Sequence, residues 1–197
     1  MARIIALSLM LLYLLNISAL ALFDTGTALQ KGKLELDVAL NPSESIINGQ
    51  NFAFLQYGLG SGYEVHGYVS KYGTFFTHKN DTWEYYGGIL KQWLSYKQLD
   101  LATSVGIRAK TLSTAKPCLI GPGVLYTINL TKVWRVAGHL QYIGELVAGG
   151  VRAFNRGYTA EMGFYYRFNY GFEIAAGLFM NSTADVRPIY TFNFYLN

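Results

Sequence analysis

The stretch Tyr190-Thr191-Phe192-Asn193-Phe194-Tyr195-Leu196 alternates strictly. Tyr190, Phe192, Phe194 and Leu196 fall on one face, with Thr191, Asn193 and Tyr195 between them. A period of two is the mark of a β-strand with one apolar side. Working backwards, the same pattern restarts after every few turn residues as far as about Lys33. It predicts ten strands, at 33–41, 51–60, 62–71, 82–94, 99–110, 119–130, 133–146, 157–168, 170–180 and 186–196. Eight is the alternative count, if the 33–60 hairpin stays outside the sheet or one pair has been split too finely.

The connections carry a second pattern. Residues 60–62, 95–98, 131–132 and 169–171 make short turns. The segments near 42–50, 72–81, 111–118, 147–156 and 181–185 are mostly longer. Short and long alternate, as in membrane barrels with short turns on one side and longer loops on the other. Gly121-Pro122-Gly123 reads as a turn or the start of a strand. No Lys-Ser or Lys-Thr follows it, so it is not a phosphate loop.

Ahead of the strands, residues 1–21 read as a cleavable signal peptide. Arg3 is the charged start, 4–15 the apolar core, and Ala19-Leu20-Ala21 the small-residue cleavage site. The apolar run is short of the roughly 20 residues that a helical anchor needs. Residues 22–197 then form one domain. The chain is 51% hydrophobic and only 14% charged, yet polar residues interrupt every later apolar run. That combination suits a barrel with an apolar outside and a polar inside. Cys118 is alone, so no internal disulfide forms. The net charge of +4 is small and dispersed, which argues against nucleic acid as a partner.

The alternation assigns each charge a face. Glu35, Asp37, Glu64, Glu84, Asp100, Glu145, Glu161 and Glu173 point inward, as do Lys33, Arg108, Lys110, Arg135, Arg167 and Arg187. Lys91 faces lipid near a turn, where it can snorkel to water. An Arg or Lys at mid-bilayer on the lipid face costs about 2–4 kcal/mol, which explains the bias. The expected lumen network is Glu35, Asp37, Glu64, Asp100, Arg108, Arg135, Glu161, Arg167, Glu173 and Arg187. Within it, Arg135, Glu161, Arg167 and Glu173 are placed for crossed ion pairs. Aromatics form two expected girdles. Tyr57, Tyr63, Trp93, Trp134, Phe168 and Phe172 lie near the short turns, and Trp83, Tyr85, Tyr142 and Tyr158 near the long loops. A soluble β-sandwich would need a second layer to bury these rings.

Catalytic and metal signals are thin. His66 shares the inward face with Glu64 and Ser70, a list of hydrolase groups. Ser70 lies about 13 Å along the strand from His66, at roughly 3.3 Å per residue, so the two do not meet. No two of His66, His78 and His139 have metal-ligand spacing. No catalytic, metal or cofactor residue is therefore assigned.

In its alternating strands and its aromatic final strand, the chain resembles the small outer-membrane β-barrel proteins of Gram-negative bacteria, a superfamily with porin-like and OmpA-like members. Tyr190, Phe192, Phe194 and Leu196 match the assembly signal of that group, with Asn197 where the group usually ends on Phe. The resemblance implies an all-β fold, a single antiparallel up-and-down transmembrane β-barrel in the outer membrane. It also implies contact with outer-membrane lipid, lipopolysaccharide and the barrel-assembly machinery. A ten-stranded barrel is narrow, so the expected role is structural or interactive with a closed, salt-bridged lumen. A narrow channel for small solutes and a lipid-modifying enzyme are the other two readings. Loop bases at Lys71, Lys79, Lys116, Arg152 and Arg156 could pair with lipopolysaccharide phosphates. On this register Phe164→Arg should cost about 2–4 kcal/mol, and Tyr165→Arg, facing the lumen, should be milder.

Overall fold

The computed structural model describes residues 25–40, 50–72, 83–111, 116–169, 171–181 and 186–196. The expected signal peptide, residues 1–21, lies outside them. The described strands are β1 (Leu34–Leu40), β2 (Gln50–Gly60), β3 (Tyr63–Tyr72), β4 (Trp83–Tyr96), β5 (Leu99–Lys110), β6 (Cys118–Asn129), β7 (Trp134–Val147), β8 (Gly150–Asn169), β9 (Phe172–Asn181) and β10 (Val186–Leu196). Each pairs antiparallel with its sequence neighbours. β1 also pairs with β10, from Leu34 opposite Leu196 to Leu40 opposite Tyr190. The sheet thus closes on itself and leaves no edge to pair with another chain. The 33–60 hairpin is part of the wall, because β1 bonds to β2 on its other side. That removes the eight-stranded alternative.

Closure puts the faces where alternation predicts. Along β5, Asp100, Ala102, Ser104 and Gly106 are buried, while Val105 and Ile107 are exposed. Along β8, Glu161, Gly163 and Tyr165 are buried, and Met162 and Phe164 exposed. Exposed large residues of the strands are overwhelmingly apolar, and much of the interior is charged or polar. This inside-out arrangement belongs to a barrel solvated by lipid. The chain is a transmembrane β-barrel. Among the described residues no helix is long and apolar enough to cross a membrane; the strands cross.

Two local expectations are corrected. The segment near 147–156 is not a long loop. β7 and β8 stay paired up to Val147 opposite Gly150, past a bulge at Tyr142/Gly144. β8 is 20 residues long, whereas about 9–11 tilted residues cross the hydrocarbon, so this hairpin projects beyond the membrane. Second, Gly121-Pro122-Gly123 lies inside β6. Register slips there against both neighbours, between Ser104 and Gly106 on β5 and between Ile120 and Gly123 on β6. A bulge is the way a strand accommodates a proline without a ladder hydrogen bond.

Candidate functional site: the barrel interior

The interior is filled in layers. At the short-turn end, residues 25–33 run across the inside of the barrel before β1 begins. The Gly26 amide donates to Thr127 Oγ1 on β6 at 2.9 Å. Thr27 Oγ1 donates to Asp100 Oδ2 on β5 at 2.7 Å. The Ala28 amide donates to Gln92 Oε1 on β4 at 3.0 Å, and the Leu29 amide to Glu64 Oε2 on β3 at 2.8 Å. The strap then reaches β2, where Gly32 N donates to Gly58 O at 2.9 Å. It touches five successive strands. Ala28 sits on Leu90, Ala102 and Leu125, all buried. Two glycines allow the close approach. A Cβ on Gly26 would lie 2.6 Å from the Asp100 carbonyl oxygen, and one on Gly58 would lie 2.1 Å from that of Gln30.

Beside the strap is an ionic layer. Arg135 on β7 ion-pairs with Glu173 on β9 and donates to the Tyr195 hydroxyl at 3.0 Å. Its guanidinium also stands 4.5 Å from the centre of the Tyr165 ring. Arg167 Nε lies 3.5 Å from the other Glu173 oxygen. Tyr195 donates to Glu173 at 3.2 Å. Asp37 accepts from Gln56 Nε2, and Glu35 is buried on the same strand. A cavity of about 20 Å³ lined by Arg135, Arg167 and Glu173 opens at this end; that is room for about one water.

Further in, an aromatic column occupies the β2–β4 side. His66 stacks on Tyr86, and Tyr86 on Tyr68, with ring centres 5.5 and 5.2 Å apart. Phe52 and Phe54 meet Tyr68 edge-on at 5.4 and 5.2 Å. The His66 ring uses both nitrogens, Nδ1 3.6 Å from Glu64 and Nε2 3.0 Å from the Tyr86 hydroxyl. That geometry assigns His66 to lumen packing against Glu64 and Tyr86. Across the lumen His139 Nδ1 faces Glu161 at 3.7 Å, and Gln141 donates to Ser104 at 2.9 Å. Nearest the long loops, Glu84 gathers Lys110 at 3.0 Å, Arg108 at 3.8 Å and the Tyr68 hydroxyl at 2.6 Å.

The expected lumen residues therefore divide among several layers. Glu64 and Asp100 hold the strap. Arg135, Arg167 and Glu173 form one ion cluster, Arg108 joins Glu84, and Glu161 faces His139. The Arg187 side chain lies outside the described ones. Glu145 sits in the projecting hairpin and ion-pairs with exposed Arg152. The expected girdle residues Tyr57, Tyr63, Trp93, Trp134, Tyr85, Tyr158 and Phe168 are exposed outward, and Phe172, Trp83 and Tyr142 are half-buried. Trp134, Tyr166, Phe168, Phe172 and Phe194 touch in sequence around the short-turn end, with ring centres 4.7–5.5 Å apart. Lys71, expected in a loop, lies in β3 next to its last residue and is buried, 5.5 Å from the Trp83 ring. The other loop bases Lys79 and Arg156 fall outside the described side chains. The strap and the aromatic column are absent from the sequence reading. Parity could have found Tyr68 and Tyr86, each two residues from an inward-facing His66 or Glu84. Nothing in residues 25–33 announces the strap.

Among the described residues no group of three or more His, Cys, Asp or Glu side chains could hold a metal ion. No family model matches this chain, and no curated protein sequence does. Solved structures do. The chain is similar to a protein from work on de novo design of transmembrane β-barrels, with a TM-score of 0.37 and 14% identity over 86% of this chain and 99% of that one. It is also similar to KdgM porin, with a TM-score of 0.49 and 7% identity over 84% of this chain and 99% of that one.

Proposed function

We propose that this protein is a closed barrel of the outer membrane with a structural or interaction role. One observation carries the reading: the strap at 25–30 is bonded to Thr127, Asp100, Gln92 and Glu64, so it bridges the lumen from β6 to β3. A conduit through the short-turn end would have to break those bonds. The layers beyond it are packed as well, with Tyr165, Phe54, Leu90 and Leu125 fully buried. The export-type segment at 1–21 supports the outer membrane as the location, with its lipids, its lipopolysaccharide and the assembly machinery as partners. The short-turn end then faces the periplasm.

Two measurements test the proposal. In membrane fractions the protein should band with the outer membrane and change mobility between boiled and unboiled gel samples. Recovery of a soluble, non-shifting protein would remove the location. In planar bilayers the purified barrel should show no steady conductance. Gly58→Val should push the strap off β2 and produce discrete openings, since a side chain there meets the Gln30 carbonyl. Steady openings in the unaltered protein would overturn the closed lumen. One observation favours a narrow channel as the second reading: Asp37 Oδ1, Asn193 Oδ1 and the Tyr165 hydroxyl are buried without a protein hydrogen-bond partner. Such atoms in folded proteins are commonly satisfied by water.

A further inference from the structure

We infer that the rim around the β2–β3 and β4–β5 turns is a binding site for the phosphate of an anionic phospholipid, with Lys91 as its centre. Lys91 leaves β4 on the lipid side. Its ammonium donates to the Ser61 carbonyl at 2.5 Å and stands 4.0 Å from the Tyr63 ring centre and 5.7 Å from that of Trp93. The carbonyl takes one of three ammonium protons. The two rings hold the charge at girdle depth, where headgroups lie, instead of letting it extend into water. Lys97, on the next turn, lies over Tyr96 at 5.2 Å. Lys31 is exposed and runs alongside Gly60.

Charge separation makes this rim a site for anions. The acids at the same end, Glu64 and Asp100, are turned into the lumen and occupied by the strap. Among the described residues neither Lys91 nor Lys97 has a carboxylate partner. Trp93 favours a lipid over an acidic protein. It is 68% exposed, yet its indole N–H is fixed on Thr103 Oγ1 at 2.8 Å, so its ring is presented rigidly to acyl chains. A soluble partner has no access to that depth. A phospholipid places a phosphate against the ammonium and its first methylenes against the ring. A lipid with net negative charge is preferred over a zwitterionic one, whose own amine competes for the phosphate.

The inference rests on membrane insertion and is independent of whether the lumen conducts. The test uses full-length protein with Trp83→Phe and Trp134→Phe, so that Trp93 alone fluoresces. Folded barrel, identified by its heat-dependent mobility, is placed in bilayers with equal fractions of brominated phosphatidylglycerol or brominated phosphatidylcholine. Phosphatidylglycerol should associate at Trp93 about fivefold more strongly, the factor one surface lysine contributes. Lys91→Gln should bring the two lipids to parity, whereas Lys116→Gln, at the long-loop end, should leave the preference intact. Equal quenching in the parent protein would overturn the site. So would a preference that survives both Lys91→Gln and Lys97→Gln, which would mark a diffuse surface effect. If Lys91→Gln does not fold, Tyr63→Leu tests the same pocket by removing the ring under the ammonium, and it should also lower the preference.

Discussion

Arg135→Ala is expected to cost about 3–5 kcal/mol of folding free energy, because it leaves a buried acid without its partner. Glu173 is nearly inaccessible, and its carboxylate is shared by Arg135, Arg167 and the Tyr195 hydroxyl. Arg167 cannot take over alone. It is partly exposed, and its Nε reaches only one Glu173 oxygen, at 3.5 Å. The cost should come from the uncompensated charge more than from lost attraction, and a second variant separates the two. Arg135→Leu combined with Glu173→Leu removes both charges and should recover most of the loss, since buried pairs often exchange with apolar residues at little net cost. Guanidinium unfolding of vesicle-inserted protein, followed by the gel mobility shift, measures both variants. A double variant as unstable as Arg135→Ala would mean that the arginine acts through its packing on Tyr165, and the electrostatic account would fail.

The second large effect concerns a neighbouring pair in β8. Phe164→Arg should cost about 2–4 kcal/mol, or block insertion, because Phe164 faces lipid at mid-strand; it is 54% exposed. From alternation alone Tyr165→Arg is the milder change. The structure reverses that expectation. Tyr165 is 0% exposed, wedged between Ala137 and Ala175, with the Arg135 guanidinium against its ring. An arginine there would set a second cation against the first in a filled interior, so its expected cost is at least as large. Tyr165→Phe should stay within about 1 kcal/mol of the parent, because its hydroxyl has no protein partner to lose. If Tyr165→Arg folds and inserts as well as the parent, the interior is hydrated enough to accept charge, and the narrow-channel reading gains over the closed lumen.

These two sites show where the sequence could be read and where it could not. β10 was legible to the residue. Tyr190, Phe192, Phe194 and Leu196 are opposed to Leu40, Val38, Leu36 and Leu34 of β1, and Phe192, Phe194 and Leu196 are exposed on the lipid face. β5 likewise begins at Leu99 and ends at Lys110 as predicted. β8 was read short at its start, because Gly150 to Arg156 carry loop-like residues and lack clear alternation. Pairing with β7 nevertheless extends them as a strand. In the lumen the alternation places the charges, His66, Ser70 and Tyr165, but not the aromatic packing. Phe52, Phe54, Tyr68 and Tyr86 also point inward and pack against one another.

While the choice between ten strands and eight rested on the pairing of β1 with β2 and β10, the sequence by itself determined that this is a barrel and which side chains meet lipid. Those properties are local. Burying a charge in hydrocarbon is costly at each position separately, so the penalty writes a period of two into every strand. Tertiary structure alone decided what happens inside. The strap bonds residues separated by 35 to 101 positions. Arg135 reaches Glu173 two strands away, and Tyr165 is sealed by neighbours from three strands. Such contacts depend on barrel closure and on the stagger between strands, including slips at the bulges. A short-range pattern contains neither, so only the closed barrel reveals which polar groups meet and that the strap lies across the lumen.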